Sequence, residues 1–286
     1  MKPPLPQPIT LSTGETAVFE EDRFHPGTFQ LLVNDTPQSH IDPHHPEELL
    51  FDYVRRIGYV LDHVAPAGTP ITAVHLGGGA FTLPRYVEAT RRGSRQQVVE
   101  LSGELVDYVR EHFPLPKHAS IRVRRGDARA TAEKFPAGLK GNVDAVVVDV
   151  FSGAQTPAHL TSVEFYEALR PLLRPNGVVI VNTTDGAGMQ FVKAQLATLG
   201  EVFDRVAAIG EPQVLRGRRF GNVILLARLG TESWDWLPRV VTQGPFPARL
   251  LADDELRRFI AGARAVTDAT AKPSPLPPEN IFDLKS

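Results

Sequence analysis

The sequence predicts an α/β protein: a seven-stranded, mostly parallel sheet with helices on both faces, preceded by a small N-terminal antiparallel β-region. Three observations carry this. From residue 71 onward, short apolar runs alternate with stretches of helical periodicity. Two of those runs, Val146-Val147-Val148 and Val178-Val179-Ile180-Val181, lack the polar alternation of a half-exposed strand, so both of their sides must be covered. Before residue 45 the chain is instead rich in β-branched and aromatic residues with closely spaced turn signals.

The elements follow in order. Met1-Lys2-Pro3-Pro4-Leu5-Pro6-Gln7-Pro8 has no apolar stretch after its charge, so it reads as an extended, mobile end and not as a signal peptide. Thr16-Ala17-Val18-Phe19-Glu20 and Thr28-Phe29-Gln30-Leu31-Leu32-Val33 read as strands, with Pro26-Gly27 as a turn between them. Asn34-Asp35 marks a second turn, and Gln38-Ser39-His40-Ile41 a third short strand. Leu49, Leu50, Tyr53, Val54, Ile57, Val60, Leu61 and Val64 then recur at helical spacing. Pro46, Glu47 and Glu48 suit the first turn of that helix, because Pro lacks only an orphan N–H and acids favour the positive end of the dipole.

The apolar runs at 71–76, 97–100, 121–123, 143–148, 178–181 and 223–227 are the strands of the main sheet. Helical stretches lie near 81–92, 103–112, 128–135, 162–173 and 187–199. Residues 202–209 and 222–228 have no long helix between them, so they are expected to pair antiparallel at the sheet's end. Beyond residue 229, Trp234-Asp235-Trp236-Leu237-Pro238 is expected to pack on the domain, and Asp253 to Ala263 to form a short helix. Lys272-Pro273-Ser274-Pro275-Leu276-Pro277-Pro278 reads as a second extended, mobile end. The predicted division is therefore 1–45 for the tail and small sheet, 46–229 for the α/β domain, and 230–286 for a C-terminal extension.

Composition narrows the function. Lys plus Arg is 31 and Asp plus Glu is 33, for a net charge of −2. A balance this even argues against nucleic acid and against a polybasic membrane anchor. No window reaches the roughly 18 apolar residues of a membrane-spanning helix. The chain has no cysteine, which removes disulfides, thiolate metal sites and a cysteine nucleophile, and fits a cytoplasmic protein. His40, His44 and His45 lie close together, but Pro43 and Pro46 flank a turn there, so a surface loop is favoured over a metal site and no metal is expected.

Four positions point to chemistry, all at the ends of predicted strands. Gly77-Gly78-Gly79 follows the first apolar strand and precedes a helix, where glycine lets the backbone pass close to a ligand. No Gly-Lys-Ser/Thr follows, so this is not a triphosphate-hydrolysing loop. Glu100 stands 23 residues after Gly77 at the end of the next strand, the Rossmann-like position from which an acid accepts from both ribose hydroxyls. Asp127, in Gly126-Asp127-Ala128, follows the third strand and suits either an adenine amino group or a helix N-cap. Asp149 directly follows the buried fourth strand and suits a general base, a partner for a cationic amine, or a loop cap. Arg216, Arg218 and Arg219 cluster in the turn before the last strand, either as a solvated hairpin or as an anion contact over the cleft.

Taken together, these motifs resemble the spermidine synthase (polyamine aminopropyltransferase) family, on a class I S-adenosylmethionine-dependent methyltransferase fold. The resemblance runs from about residue 28 to residue 228. Gly77-Gly78-Gly79 resembles the family's glycine motif, Glu100 its ribose acid and Gly126-Asp127-Ala128 its adenine motif. Asp149 resembles the first acid of its Asp-Ser-Ser-Asp-Pro loop. Pro157-Ala158-His159-Leu160, Glu164-Phe165-Tyr166 and Leu172-Leu173-Arg174-Pro175-Asn176-Gly177-Val178 resemble the segments that follow. Gln38 resembles the glutamine that approaches the nucleoside, and the N-terminal sheet is itself a family feature.

The resemblance implies a transferase using S-adenosylmethionine or decarboxylated S-adenosylmethionine, with methylthioadenosine as a product. Its partners would be that nucleoside and an acceptor, such as an amine, and it implies a homodimer. The departures concern the acceptor. The acid that holds the aminopropyl amine is replaced by Ala80, and the second loop acid by Ser152. The Tyr-His-Glu stretch shaping the amine tunnel falls near Leu50-Phe51-Asp52, and a later helical histidine near Arg56. The nucleoside half is kept and the amine half rebuilt, so putrescine is expected to be a poor substrate. Three functions remain open: aminopropyl transfer, methyl transfer to another acceptor, and nucleoside binding without turnover.

Overall fold

The computed structural model describes residues 6–231 and 233–278. The chain opens with four antiparallel strands in sequence order, β1 (Ile9–Thr10), β2 (Thr16–Glu21), β3 (Phe29–Val33) and β4 (Thr36–Ile41). β1 adds to the three expected strands by pairing with β2. Of the expected N-terminal tail, residues 1–5 lie outside the described residues.

Helix α1 covers Asp52–His63 and starts later than Pro46. Asp42 Oδ1 accepts from the backbone N–H groups of His44 and His45, and Glu48 N–H donates to the His45 carbonyl. That turn takes up residues 42–48, and Phe51 is still extended at ψ 132°. The two histidines therefore belong to a side-chain-capped turn.

The second sheet is built from β5 (Thr72–Leu76), α2 (Thr82–Thr90), β6 (Arg95–Glu100), α3 (Gly103–His112), β7 (Ser120–Arg125), α4 (Ala128–Ala132), β8 (Val143–Val148), α5 (Val163–Leu169), β9 (Leu173–Asp185), α6 (Gln190–Val202) and β10 (Arg205–Gly210). A short helix α7 (Pro212–Leu215) leads into β11 (Gly221–Arg228), and α8 (Leu237–Val240), β12 (Arg249–Leu251) and α9 (Asp253–Ile260) complete the fold. The order is β12-β10-β11-β9-β8-β5-β6-β7. All seven expected strands are present, and β10 and β11 pair antiparallel as expected. An eighth, β12, comes from the C-terminal extension and pairs antiparallel with the edge of β10. A three-residue strand carries too little pattern to be read from sequence.

β8 shows why its run does not alternate. Val143, Val146 and Val148 join one core, with α5 and α6, while Ala145 and Val147 join the other, with α1 and α2. A third core seals the small sheet to the domain, as Phe19, Leu31 and Ile41 pack with Ala80, Phe81, Val98 and Val106. β9 runs well past the expected 178–181 to Asp185, because antiparallel β11 pairs with it along that length.

The segment expected to be a mobile C-terminal end is pinned as far as it is described. Ser274 is buried; its N–H donates to the Thr156 carbonyl and its Oγ accepts from Thr156 N–H. Asp268 receives both Arg129 Nη groups, at 2.7 and 2.8 Å, and the Ser162 hydroxyl at 2.6 Å. Among the described residues no helix is long and apolar enough to cross a membrane.

Candidate active site

From β5 the chain moves outward to β6 and β7, then returns to β8 on the other side of β5. The connections leaving the carboxyl ends of β5 and β8 therefore run in opposite directions along the sheet, which is where open α/β sheets bind ligands. A cavity of about 230 Å³ opens at that point. Gln38, Gly77, Gly78, Gly79, Glu100, Asp127, Ala128 and Asp149 all line it, so every site residue named from sequence reaches one place.

The glycine turn is tight for a physical reason. Gly77 has φ +93°, and a Cβ there would sit 2.0 Å from the Asp149 carbonyl oxygen. Gly77 N–H donates to Val99 O and Asp149 N–H to Leu76 O, so the turn is clamped between β6 and β8. Gly79 has φ +47°, and a Cβ there would meet Ser39 Oγ at 2.4 Å. Ser39 Oγ also accepts from Ala80 N–H, which ties the small sheet to the turn. Ala80 is fully buried in the core between the small sheet and α3 and does not line the cavity.

Glu100 does more than its strand position suggested. Its Oε2 accepts from Gly78 and Gly79 N–H at 2.8 and 3.2 Å, and its Oε1 from Ser102 N–H at 3.0 Å. It therefore shapes the turn: Oε2 already accepts two hydrogen bonds, and Oε1, with one, keeps a free acceptor site. Asp127 is an N-cap: its Oδ1 accepts from Ala130 N–H, while its Oδ2 meets His159 Nε2 at 2.7 Å. These partners hold its carboxyl below the usual range despite partial burial.

Asp149 is in a different state. Asn182 Nδ2 donates to its Oδ1 at 2.8 Å, and Asn222 Nδ2 in turn donates to Asn182 Oδ1 at 3.0 Å. Among the described residues no backbone N–H bonds its carboxylate, so it is not a loop cap. Burial pushes its pKa up to about 6, opposed only by the Asn182 bond. Tyr53 of α1 also lines the cavity, its pKa raised by burial and by the Asp149 charge. Its hydroxyl donates to the Gln38 carbonyl at 3.4 Å.

Ser39, Tyr53, His159, Asn182 and Asn222 were not named as site residues from sequence. Asn182 had a readable signal: like Asp149, it is a polar residue directly after an apolar run in the predicted parallel sheet. The other four become neighbours only through the sheet order.

No family model matches the chain. Polyamine aminopropyltransferases of Chromobacterium violaceum and Neisseria meningitidis serogroup B are each 28% identical to it, over 157 and 199 residues. Those matches cover 54% and 68% of this chain, and 57% and 70% of the two relatives. The crystal structure of a probable spermidine synthase from Corynebacterium glutamicum superposes with a TM-score of 0.82 at 32% identity, covering 93% of this chain and 97% of that one. The chain belongs to the spermidine synthase (polyamine aminopropyltransferase) family. As a member of that family it is a transferase, and its fold is the mixed α/β fold shared with methyltransferases. The glycine turn and the strand-end acids Glu100, Asp127 and Asp149 line one cavity, and Ala80 and Ser152 carry no carboxylates.

Proposed function

We propose that this chain binds S-adenosylmethionine or its decarboxylated form in the first cavity and transfers a carbon group to a nucleophilic acceptor, with Asp149 as the base. The observation that carries the reading is the convergence of three carboxylates, from the ends of three parallel strands, around one glycine turn. Gly77 to Gly79 leave room for the nucleoside's backbone contact. Glu100 takes a ribose hydroxyl on the free site of Oε1, Asp127 and Ala128 face the adenine, and Gln38 closes the side formed by the small sheet. When bound, the sulfonium supplies an electrophilic carbon: the acceptor's lone pair forms the new bond as the carbon–sulfur bond breaks, and that electron pair stays on sulfur.

An ammonium must lose a proton before it can attack, and Asp149 is placed to take it. With a pKa of about 6, it is ionised at neutral pH yet basic enough to share the proton. Asn182 orients it by holding one oxygen, which leaves the other for the acceptor. Because Ala80 and Ser152 carry no charge, a diamine would leave ammonium groups without partners, and putrescine should be a poor substrate. Each lost charge-assisted hydrogen bond is worth about 1.5–3 kcal/mol. Methyl transfer is the second reading, favoured by the buried Ala80, since a methyl donor needs no anchor for an aminopropyl amine.

Two measurements test this. Calorimetry with methylthioadenosine should show binding that weakens by about 1–3 kcal/mol in Glu100→Ala. Unchanged affinity in both Glu100→Ala and Asp127→Ala would remove the nucleoside site. Incubation with each cofactor and a panel of amines should yield methylthioadenosine for aminopropyl transfer or S-adenosylhomocysteine for methyl transfer. Rapid spermidine formation from putrescine would overturn the acceptor reading. The homodimer implied by the resemblance is checked by sedimentation.

A further inference from the structure

A second cavity, of about 280 Å³, shares the wall formed by Tyr53 with the first. Asp52 and Arg56 of α1 line it, with Glu211, Arg219 and Asn222 from the segment around α7 and the start of β11. The charges balance in number but not in pairing. Arg219 meets Glu211 at 2.8 Å, and Asp52 is held by Arg55 at 3.4 Å, outside the cavity lining. Arg56 is 8% exposed and, among the described residues, forms no hydrogen bond or ion pair. Asp52 and Glu211 act on Arg56 only through longer-range attraction, so its donors stay open, and its planar fork matches a carboxylate through two parallel hydrogen bonds. One unpaired positive charge suits a monoanion, because Asp52 and Glu211 nearby would repel a dianion such as phosphate.

This cavity adjoins the reacting centre, with Tyr53 in the wall of both. Asn222 in its wall bonds Asn182, which bonds Asp149. Tyr53 stands three residues before Arg56, about 4.5 Å along the helix axis. We propose that the acceptor is an amino carboxylate, its amine beside Asp149 and its carboxylate in the second cavity on Arg56. The amine end is served by the base and the far end by a cation, so the site selects against molecules that are positive at both ends. This deepens the transfer reading and rests on it.

The test is calorimetry on protein saturated with methylthioadenosine, titrated with matched pairs: putrescine against 4-aminobutyrate, and cadaverine against 5-aminovalerate. The expected result is that at least one carboxylate binds tenfold or more tightly than its matching diamine. Arg56→Met should erase that preference while leaving methylthioadenosine affinity within threefold. Arg56→Lys, which keeps the charge and loses the fork, should retain part of it, and serves if Arg56→Met does not fold. Diamines that bind as tightly as the carboxylates in both pairs, a preference that survives Arg56→Met, or no carboxylate binding at tens of millimolar would each overturn the proposal. A protein that binds no methylthioadenosine removes the transfer reading as well; one that binds it and prefers diamines removes only this inference.

Discussion

At the scale of single residues, Asp149 links stability to chemistry. Its pKa is raised from 3.8 to about 6 in the folded protein, so between those values the unfolded chain sheds its proton first. The fold is therefore penalised progressively as pH rises from about 4 to about 6, and by a constant amount above that. Asp149→Asn keeps the oxygen that Asn182 bonds and removes the buried charge. It should melt higher than the parent at neutral pH, by roughly 1–3 kcal/mol since one pKa unit is about 1.4 kcal/mol, and equally near pH 3.5. Turnover should fall by at least about 10²-fold, with nucleoside affinity little changed. A variant that is less stable at neutral pH and fully active would mean that the carboxylate serves structure and not proton transfer.

At the scale of elements, the β5–α2 turn depends on a close approach that can be measured by contrast. Gly77 and Gly14 have similar φ values, +93° and +84°, but a Cβ at Gly14 would meet nothing within 4 Å. Alanine at either position carries the strain of positive φ, and alanine at Gly77 must also displace the Asp149 carbonyl. Gly77→Ala should thus destabilise by about 1–3 kcal/mol more than Gly14→Ala in urea unfolding. It should also weaken nucleoside binding, because the Gly78 and Gly79 amides that bond Glu100 move with the turn. Equal losses would mean that the turn yields without cost.

At the scale of the whole molecule, the C-terminal extension acts as a strap along the loop that carries Asp149. Val266 O accepts from Val163 N–H, Asp268 joins Arg129 to Ser162, and Ser274 pairs with Thr156 and accepts from Gln155 Nε2. Arg129 and Ser162 hold the Asp268 carboxyl down at about 2, against an ordinary 3.8. That contribution to stability is present above about pH 4 and is lost as pH falls through about 2. Ending the chain before Val266 should raise hydrogen exchange at residues 152–163 by about tenfold or more while β5 and β8 stay protected. Unaltered exchange in that loop would show that the strap is dispensable.

The sequence by itself determined the layered α/β architecture, the small sheet ahead of it and the acids at the strand ends. Each of these is written in local signals: period, apolar runs, glycine turns and the residue that follows a strand. The choice between roles was not local. Whether Asp127 caps a helix or Asp149 caps a loop depends on which N–H groups come within reach, and the fold gave the cap to Asp127 and Asn182 to Asp149. Arg56 reads from sequence only as the residue standing near the family's later helical histidine. That it stands buried and unpaired follows from Glu211 meeting Arg219 and Asp52 meeting Arg55, pairings set by how α1 packs beside the segment from α7 to β11. Tertiary structure alone decides these matters, because charges find their partners through space and a sequence records only their order.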